Sequence, residues 1–227
     1  MFDEFGPFLI FGVALLIIIG SVAYTWYANK RRREALSLLA NQWMYDFTEK
    51  NDELRDALDA FHLLNRGRSK KVRNVLQGQE RGVEVQVFDY LHTTGSGRSS
   101  REHTESVVLL RSSRLALPFF TVRPKGTFEF IRKRFGKSAI SFGDDPMFDE
   151  KYLVFAAKDA APEPVVQTLK MNAREHIARD GKWVVEGNKD RLVIYRERKK
   201  LKPDELRTLL DESLALFNHF AKSDGWS

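Results

Sequence analysis

Residues 5–33 read FGPFLIFGVALLIIIGSVAYTWYANKRRR, with no charged side chain before Lys30. The run from Phe5 to Ala28 is centred on Leu15-Leu16-Ile17-Ile18-Ile19. A helix rising about 1.5 Å per residue needs roughly 20 residues to cross about 30 Å of hydrocarbon. This run is long enough. Gly6, Pro7, Gly12 and Gly20 are tolerated in a membrane helix. Tyr24, Trp26 and Tyr27 stand at its end, where amphipathic rings favour the headgroup level.

A cleaved signal peptide has the opposite order, with bases before the apolar core and small residues after it. Here Asp3 and Glu4 come first, and Lys30, Arg31, Arg32 and Arg33 follow. The reading is a single transmembrane helix within an N-terminal unit of residues 1–29. The positive-inside bias then predicts an inner (plasma) membrane protein, N-terminus outside and residues 30–227 cytoplasmic. Those four bases are the predicted membrane-surface cluster. The bilayer is their expected partner and anionic lipid headgroups a further one, at about 1 kcal/mol per base near the surface. Setting topology is the simpler role for them.

The bulk numbers narrow the remainder. With 43% hydrophobic and 30% charged residues, 17 Phe and 4 Trp, it is globular rather than disordered. Zero Cys excludes disulfides, Cys-ligated zinc, Fe–S clusters and thiol catalysis. The net charge of +6 divides into +2 over residues 1–33 and +4 over the rest. That excess is mild, and no nucleic acid is expected.

Beyond the bases, Glu34–Asn41 reads as a helix continuing from the membrane, and Trp43, Tyr45 and Phe47 as a short extended piece. Asn51 caps a helix bearing Leu54, Leu58 and Phe61. A single helix from 34 to 62 is the rival, because Leu36, Leu39, Trp43, Phe47, Leu54 and Leu58 also keep helical phase. The period then falls to 2, predicting strands over 72–76, 83–91, 106–110 and 115–122. Residues 77–82 form the first hairpin turn and 93–100 the next, while Pro118 signals an edge strand or a bulge. Further on come a strand over 152–157, a helix over 162–179 with Val166, Leu169, Ala173 and Ile177 in phase, and a hairpin of 183–186 with 191–195. Pro203 opens the last helix, whose stripe is Leu206, Leu209, Leu210, Leu214, Phe217 and Phe220. The fold class is α+β, a transmembrane helix followed by a β-hairpin-rich domain with flanking helices. The units are 1–29, a juxtamembrane basic and helical region 30–62, and an α+β domain 63–227.

Several features carry a resemblance: Asn74-Val75-Leu76-Gln77-Gly78, Phe88-Asp89-Tyr90, the tip Gly95-Ser96-Gly97-Arg98, Leu117-Pro118-Phe119-Phe120 with Arg123-Pro124, and Trp183-Val184-Val185-Glu186-Gly187 with Tyr195. Together with the N-terminal helix and its basic stop, the chain resembles a group of uncharacterised bacterial single-pass inner-membrane proteins with a cytoplasmic β-rich domain. The resemblance covers nearly the whole chain and implies a bacterial inner membrane. It carries over no catalytic residue. Where that group often has an aromatic after the Phe-Asp-Tyr run, this chain has Leu91-His92.

No constellation specifies a reaction, and no cofactor is expected. His92 and His103 flank the hairpin tip and are the weak metal candidates, with Asp89, Glu102 or Glu105 as a third ligand. Solvated hairpin histidines are far commoner, so no metal is expected. Gly95, Gly97 and Arg98 are a weak phosphate-binding candidate, offering backbone N–H groups and a guanidinium; a mobile turn needs the same residues. Asp144-Asp145 before Pro146 reads as a capped turn sooner than a cation pair. Arg66, Arg68, Lys70, Lys71 and Arg73, and later Arg196, Arg198, Lys199, Lys200 and Lys202, are basic connectors, either solvated or facing a membrane or acidic partner. The leading function is a membrane-anchored cytoplasmic interaction or scaffold domain with a protein partner still to be identified, comparable at fold level to pleckstrin-homology modules. The alternative is a membrane-bound hydrolase or phosphate-ligand-binding protein using the 92–103 hairpin tip. One spanning segment disfavours a transporter or channel.

Overall fold

The computed structural model describes residues 6–61, 67–126, 139–180 and 182–222. Calls on Asp3, Glu4, Phe5, His62, Arg66 and Gly181 lie outside the described residues. Helix α1 (Gly6–Trp43) is a single rod of 38 residues, about 57 Å long. It is long and apolar enough to cross a membrane, and its apolar window is 0% buried. Every residue from Gly12 to Arg31 is exposed. Lower down, Leu36 and Ala40 are buried and Leu39 and Trp43 pack beside them, so one helical stripe enters the core. The helix stops at Met44, whose φ is +58°. The Tyr45 amide reaches back to the Ala40 carbonyl at 2.8 Å, a left-handed cap that turns the chain away.

Strand β1 (Asp46–Lys50) follows, then helix α2 (Asp52–Ala57), with the Leu54 amide donating to the Asn51 side chain. The single helix over 34–62 therefore does not form. The left-handed residue at 44 breaks it, and the chain beyond pairs with a strand instead. Strands β2 (Arg68–Glu80), β3 (Val83–Thr94), β4 (Arg101–Arg111) and β5 (Leu117–Pro124) come next. The first three run longer than predicted, and β5 keeps the predicted length but starts two residues later. Gln77–Glu80 pairs with Val83–Gln86, so the turn shrinks to Arg81-Gly82, both at positive φ. Polar side chains on an exposed strand had read as loop.

Helix α3 (Pro146–Lys151), β6 (Tyr152–Ala156), α4 (Glu163–Thr168), α5 (Met171–Asp180), β7 (Trp183–Lys189), β8 (Arg191–Arg196) and α6 (Leu206–Phe220) follow among the described residues. The helix predicted over 162–179 is two helices. Leu169 leaves helical geometry, and its carbonyl accepts from Arg174 Nη1 at 2.9 Å. Val165, not Val166, joins Leu169, Ala173 and Ile177 in the interior. The stripe on α6 is buried from Leu206 to Phe217, with Phe220 packed beside it.

Among the described residues, eight strands form one antiparallel sheet, ordered β1-β2-β3-β4-β8-β7-β5-β6. Pro118 sits at a register shift between Leu117 and Phe120, with β7 on one side and β6 on the other. The bulge reading fits; the edge reading does not. Alternate residues enter two cores. Val83, Val85, Val87, Val108, Leu110, Leu192 and Ile194 face α1, α5 and α6. Phe88, Tyr90, Val107, Leu109, Val193 and Tyr195 face Leu54, Leu58 and Phe61. A Cβ on Gly78 would overlap the Tyr45 ring, so glycine is what lets the end of α1 lie against β2. Burial and the Glu80 carboxylate, which accepts from its hydroxyl at 2.9 Å, push the Tyr45 phenol well above its ordinary range.

Candidate functional site

The junction between α1 and the sheet is the most elaborate polar cluster on the α1 side. Asp89 stands in phase with the buried Val83, Val85 and Val87 on β3. It is 3% exposed, and a carboxylate buried this far needs partners. Arg32 supplies two: Nε donates to Oδ2 and Nη2 to Oδ1, both at 2.7 Å. Asn74 Nδ2 donates to Oδ2 at 2.9 Å and Ser106 Oγ to Oδ1 at 3.2 Å. Asn74 reaches it because a bulge between Arg73 and Leu76 sets its φ to +52°. Arg32 Nη1 also donates to the Leu201 carbonyl at 2.7 Å, and the Leu201 amide donates to Ser106 Oγ at 3.0 Å. One bidentate pair thus ties α1 to β2, β3, β4 and the 197–205 connector.

The four stop bases therefore part ways. Lys30 lies 5.5 Å from the Trp26 ring centroid and Arg31 5.9 Å from that of Tyr27, both exposed. Arg33 Nη1 pairs with Glu49 at 2.9 Å. Arg32, with its side chain 10% exposed, faces the sheet rather than a membrane surface. Residues about 100° apart around a helix meet different neighbours. Motif reading takes Asp89 as part of the Phe-Asp-Tyr run and as a possible third metal ligand, and misses its pairing with Arg32. A carboxylate in phase with three core valines was the available signal.

The hairpin tip lies at the same end of the domain as the apolar part of α1. From Arg32 opposite Asp89, one cavity runs past Asn29 and Thr25 on α1 and past Leu91, Glu102 and Thr104 on β3 and β4. Continuing along β3 leads to the tip. Gly95, Gly97 and Arg98 are exposed there, Gly95 and Gly97 at φ +75° and +53°, with a short 3-10 turn over Gly97–Ser99. Adding a Cβ to Gly95 would strike the Ser99 carbonyl.

His92 and His103 do face each other, paired in register with ring centroids 5.4 Å apart. His92 is not solvated: it is buried and stacks on Tyr90 at 5.3 Å, whereas His103 is half-buried. His103 Nε2 shares a 2.9 Å hydrogen bond with Thr94 Oγ1. Glu105, 3.8 Å from His92 Nδ1, accepts from the Arg198 amide at 2.9 Å. Among the described residues, no three His, Asp or Glu side chains gather in a group able to hold a metal. Asp144 and Asp145 converge on Arg174, at 2.8 and 3.1 Å, while Asp145 Oδ1 caps α3. The capped turn expected there forms, and the buried guanidinium draws both carboxylates.

No family model matches the chain, and no curated protein matches it. Among solved structures, the crystal structure of the mycobacterial trehalose monomycolate transport factor A, TtfA, is similar. The TM-score is 0.55 at 15% identity, over 84% of this chain and 90% of that one. At that identity the likeness is one of fold. The exposed apolar helix α1 is by itself compatible with a membrane anchor.

Proposed function

We propose that this chain is a membrane-anchored, non-enzymatic accessory protein. In this reading α1 crosses the plasma membrane once, with the N-terminus outside. Residues 30–227 form a platform on the cytoplasmic side that docks a protein partner. The observation that carries the reading is the unbroken course of α1 from an exposed apolar stretch into the core, locked by Arg32 and Asp89. Anchor and platform are then one rigid body. Lys30 and Arg31, exposed beside an aromatic belt, support the orientation. The name of its structural neighbour, a transport factor, supports an accessory role beside membrane machinery. Protease protection of sealed vesicles tests the orientation: residues 46–222 are expected to be cleaved only from the cytoplasmic face. Crosslinked purification from membranes tests the platform. Recovering the chain repeatedly alone would remove the partner from this reading.

A second reading, a membrane-bound hydrolase or phosphate-ligand-binding protein working at the 92–103 hairpin, is favoured by the exposed Gly95, Gly97 and Arg98. His92 argues against it, being buried where no substrate reaches it. A phosphatase activity lost in His103→Ala would favour this reading; an unchanged phenotype in that variant would leave it without a base.

A further inference from the structure

Beside the Arg32–Asp89 pair lies a cavity of about 250 Å³, walled on one side by Thr25 and Asn29 of α1. Five cations line it: Arg33, Lys50, Lys71, Arg73 and Lys200. Three carboxylates accompany them, and two are already committed, Asp89 to Arg32 and Glu49 to Arg33. That leaves Glu102 against four bases. Among the described residues, Lys50, Lys71, Arg73 and Lys200 have no carboxylate at ion-pair distance, and the buried Nε of Arg73 has no hydrogen-bond partner. A buried donor without an acceptor is costly unless a ligand completes it. The Lys200 ammonium is held below its usual range, first by burial and then by Arg32, against the opposing pull of Asp89 and Glu102. The local field is one that an anion would relieve.

The cavity's height along α1 names the source of that anion. Counting from Ile17 at the centre of the apolar run, Thr25 lies about 12 Å down the helix and Asn29 about 18 Å. With α1 across a bilayer, this spans the boundary between roughly 30 Å of hydrocarbon and the headgroup layer. We propose that this cavity binds the phosphate of an anionic phospholipid, with Arg73, Lys71 and Lys200 as its ligands. The proposal rests on α1 being the membrane anchor. Its site is distinct from the exposed Lys30 and Arg31. A bound headgroup would bridge α1, β1, β2 and the connector, fixing the domain's attitude on the membrane.

The test uses the full chain in a neutral detergent, with the thermal midpoint followed as lipid is added. Phosphatidylglycerol is expected to raise it saturably, phosphatidylcholine not at all, and sodium phosphate only at far higher concentration. Lys200→Gln, a loss of charge on the connector, should weaken the phosphatidylglycerol response roughly fivefold, and Arg73→Gln at least as much. Lys158→Gln, an equal charge loss on an exposed loop, should leave it unchanged. Equal weakening in Lys158→Gln, or none in both cavity variants, overturns the site. Saturation by sodium phosphate as tight as by lipid overturns the lipid assignment and makes the ligand a free phosphate. Alkaline extraction of native membranes reports separately on the anchor: a chain released there sinks the anchoring reading, while the midpoint series still reads the cavity.

Discussion

The two ends of α1 carry similar side chains into opposite surroundings. Leu15, Leu16, Ile17, Ile18 and Ile19 are between 55% and 70% exposed, whereas Leu36 and Ala40 are 1% and 0% exposed. The upper stretch is apolar around its whole circumference, as suits a medium that surrounds it. The lower stretch is apolar on one stripe, as suits a single partner. The boundary falls between Arg31 and Arg32, where one base stays exposed and the next closes onto Asp89. Hydrophobicity alone thus separates membrane from core poorly; its angular distribution does better.

Breaking the lower end should cost most at Asp89. Asp89→Ala leaves the Arg32 guanidinium buried without its carboxylate, and is expected to lower unfolding stability by about 3–5 kcal/mol in detergent. The double substitution Arg32→Leu with Asp89→Leu should recover much of that loss. Leu36→Ala opens a hole between helix and sheet and is expected to cost about 2–4 kcal/mol in the same denaturation experiment. Met44→Gly goes the other way. Met44 is 92% exposed at φ +58°, so glycine relieves the left-handed strain and should stabilise by about 0.5–1 kcal/mol. Arg31→Gln is expected to change stability by less than about 0.5 kcal/mol. A loss comparable to that of Asp89→Ala would show that the upper end is also held by the protein.

The sequence made the elements legible wherever the signal was local. The apolar run, the Asn51 cap, the α6 stripe and the Pro118 bulge each follow from neighbouring residues. What escaped was set by distant partners. Arg32 counts like its three neighbours in any charge rule, yet its place depends on a carboxylate 57 residues away. The break at Leu169 depends on Arg174, itself held by Asp144 and Asp145. Gly78 and Gly187, prominent in the quoted motifs, make room for the rings of Tyr45 and Phe120, so those motifs record packing. The cationic cavity was half visible as a basic run. Only the folded sheet brings Lys71 and Arg73 together with Lys50 and Lys200.

Because no linker separates the upper part of α1 from the sheet, the domain has no leash. A tethered module on flexible chain sweeps a hemisphere and meets partners from any side. With α1 embedded, this one keeps a constant bearing and swivels only as the whole helix spins in the lipid. Any companion in the same membrane must arrive at the matching compass angle. For a partner in the same membrane, as proposed above, recognition would be an alignment of two upright bodies.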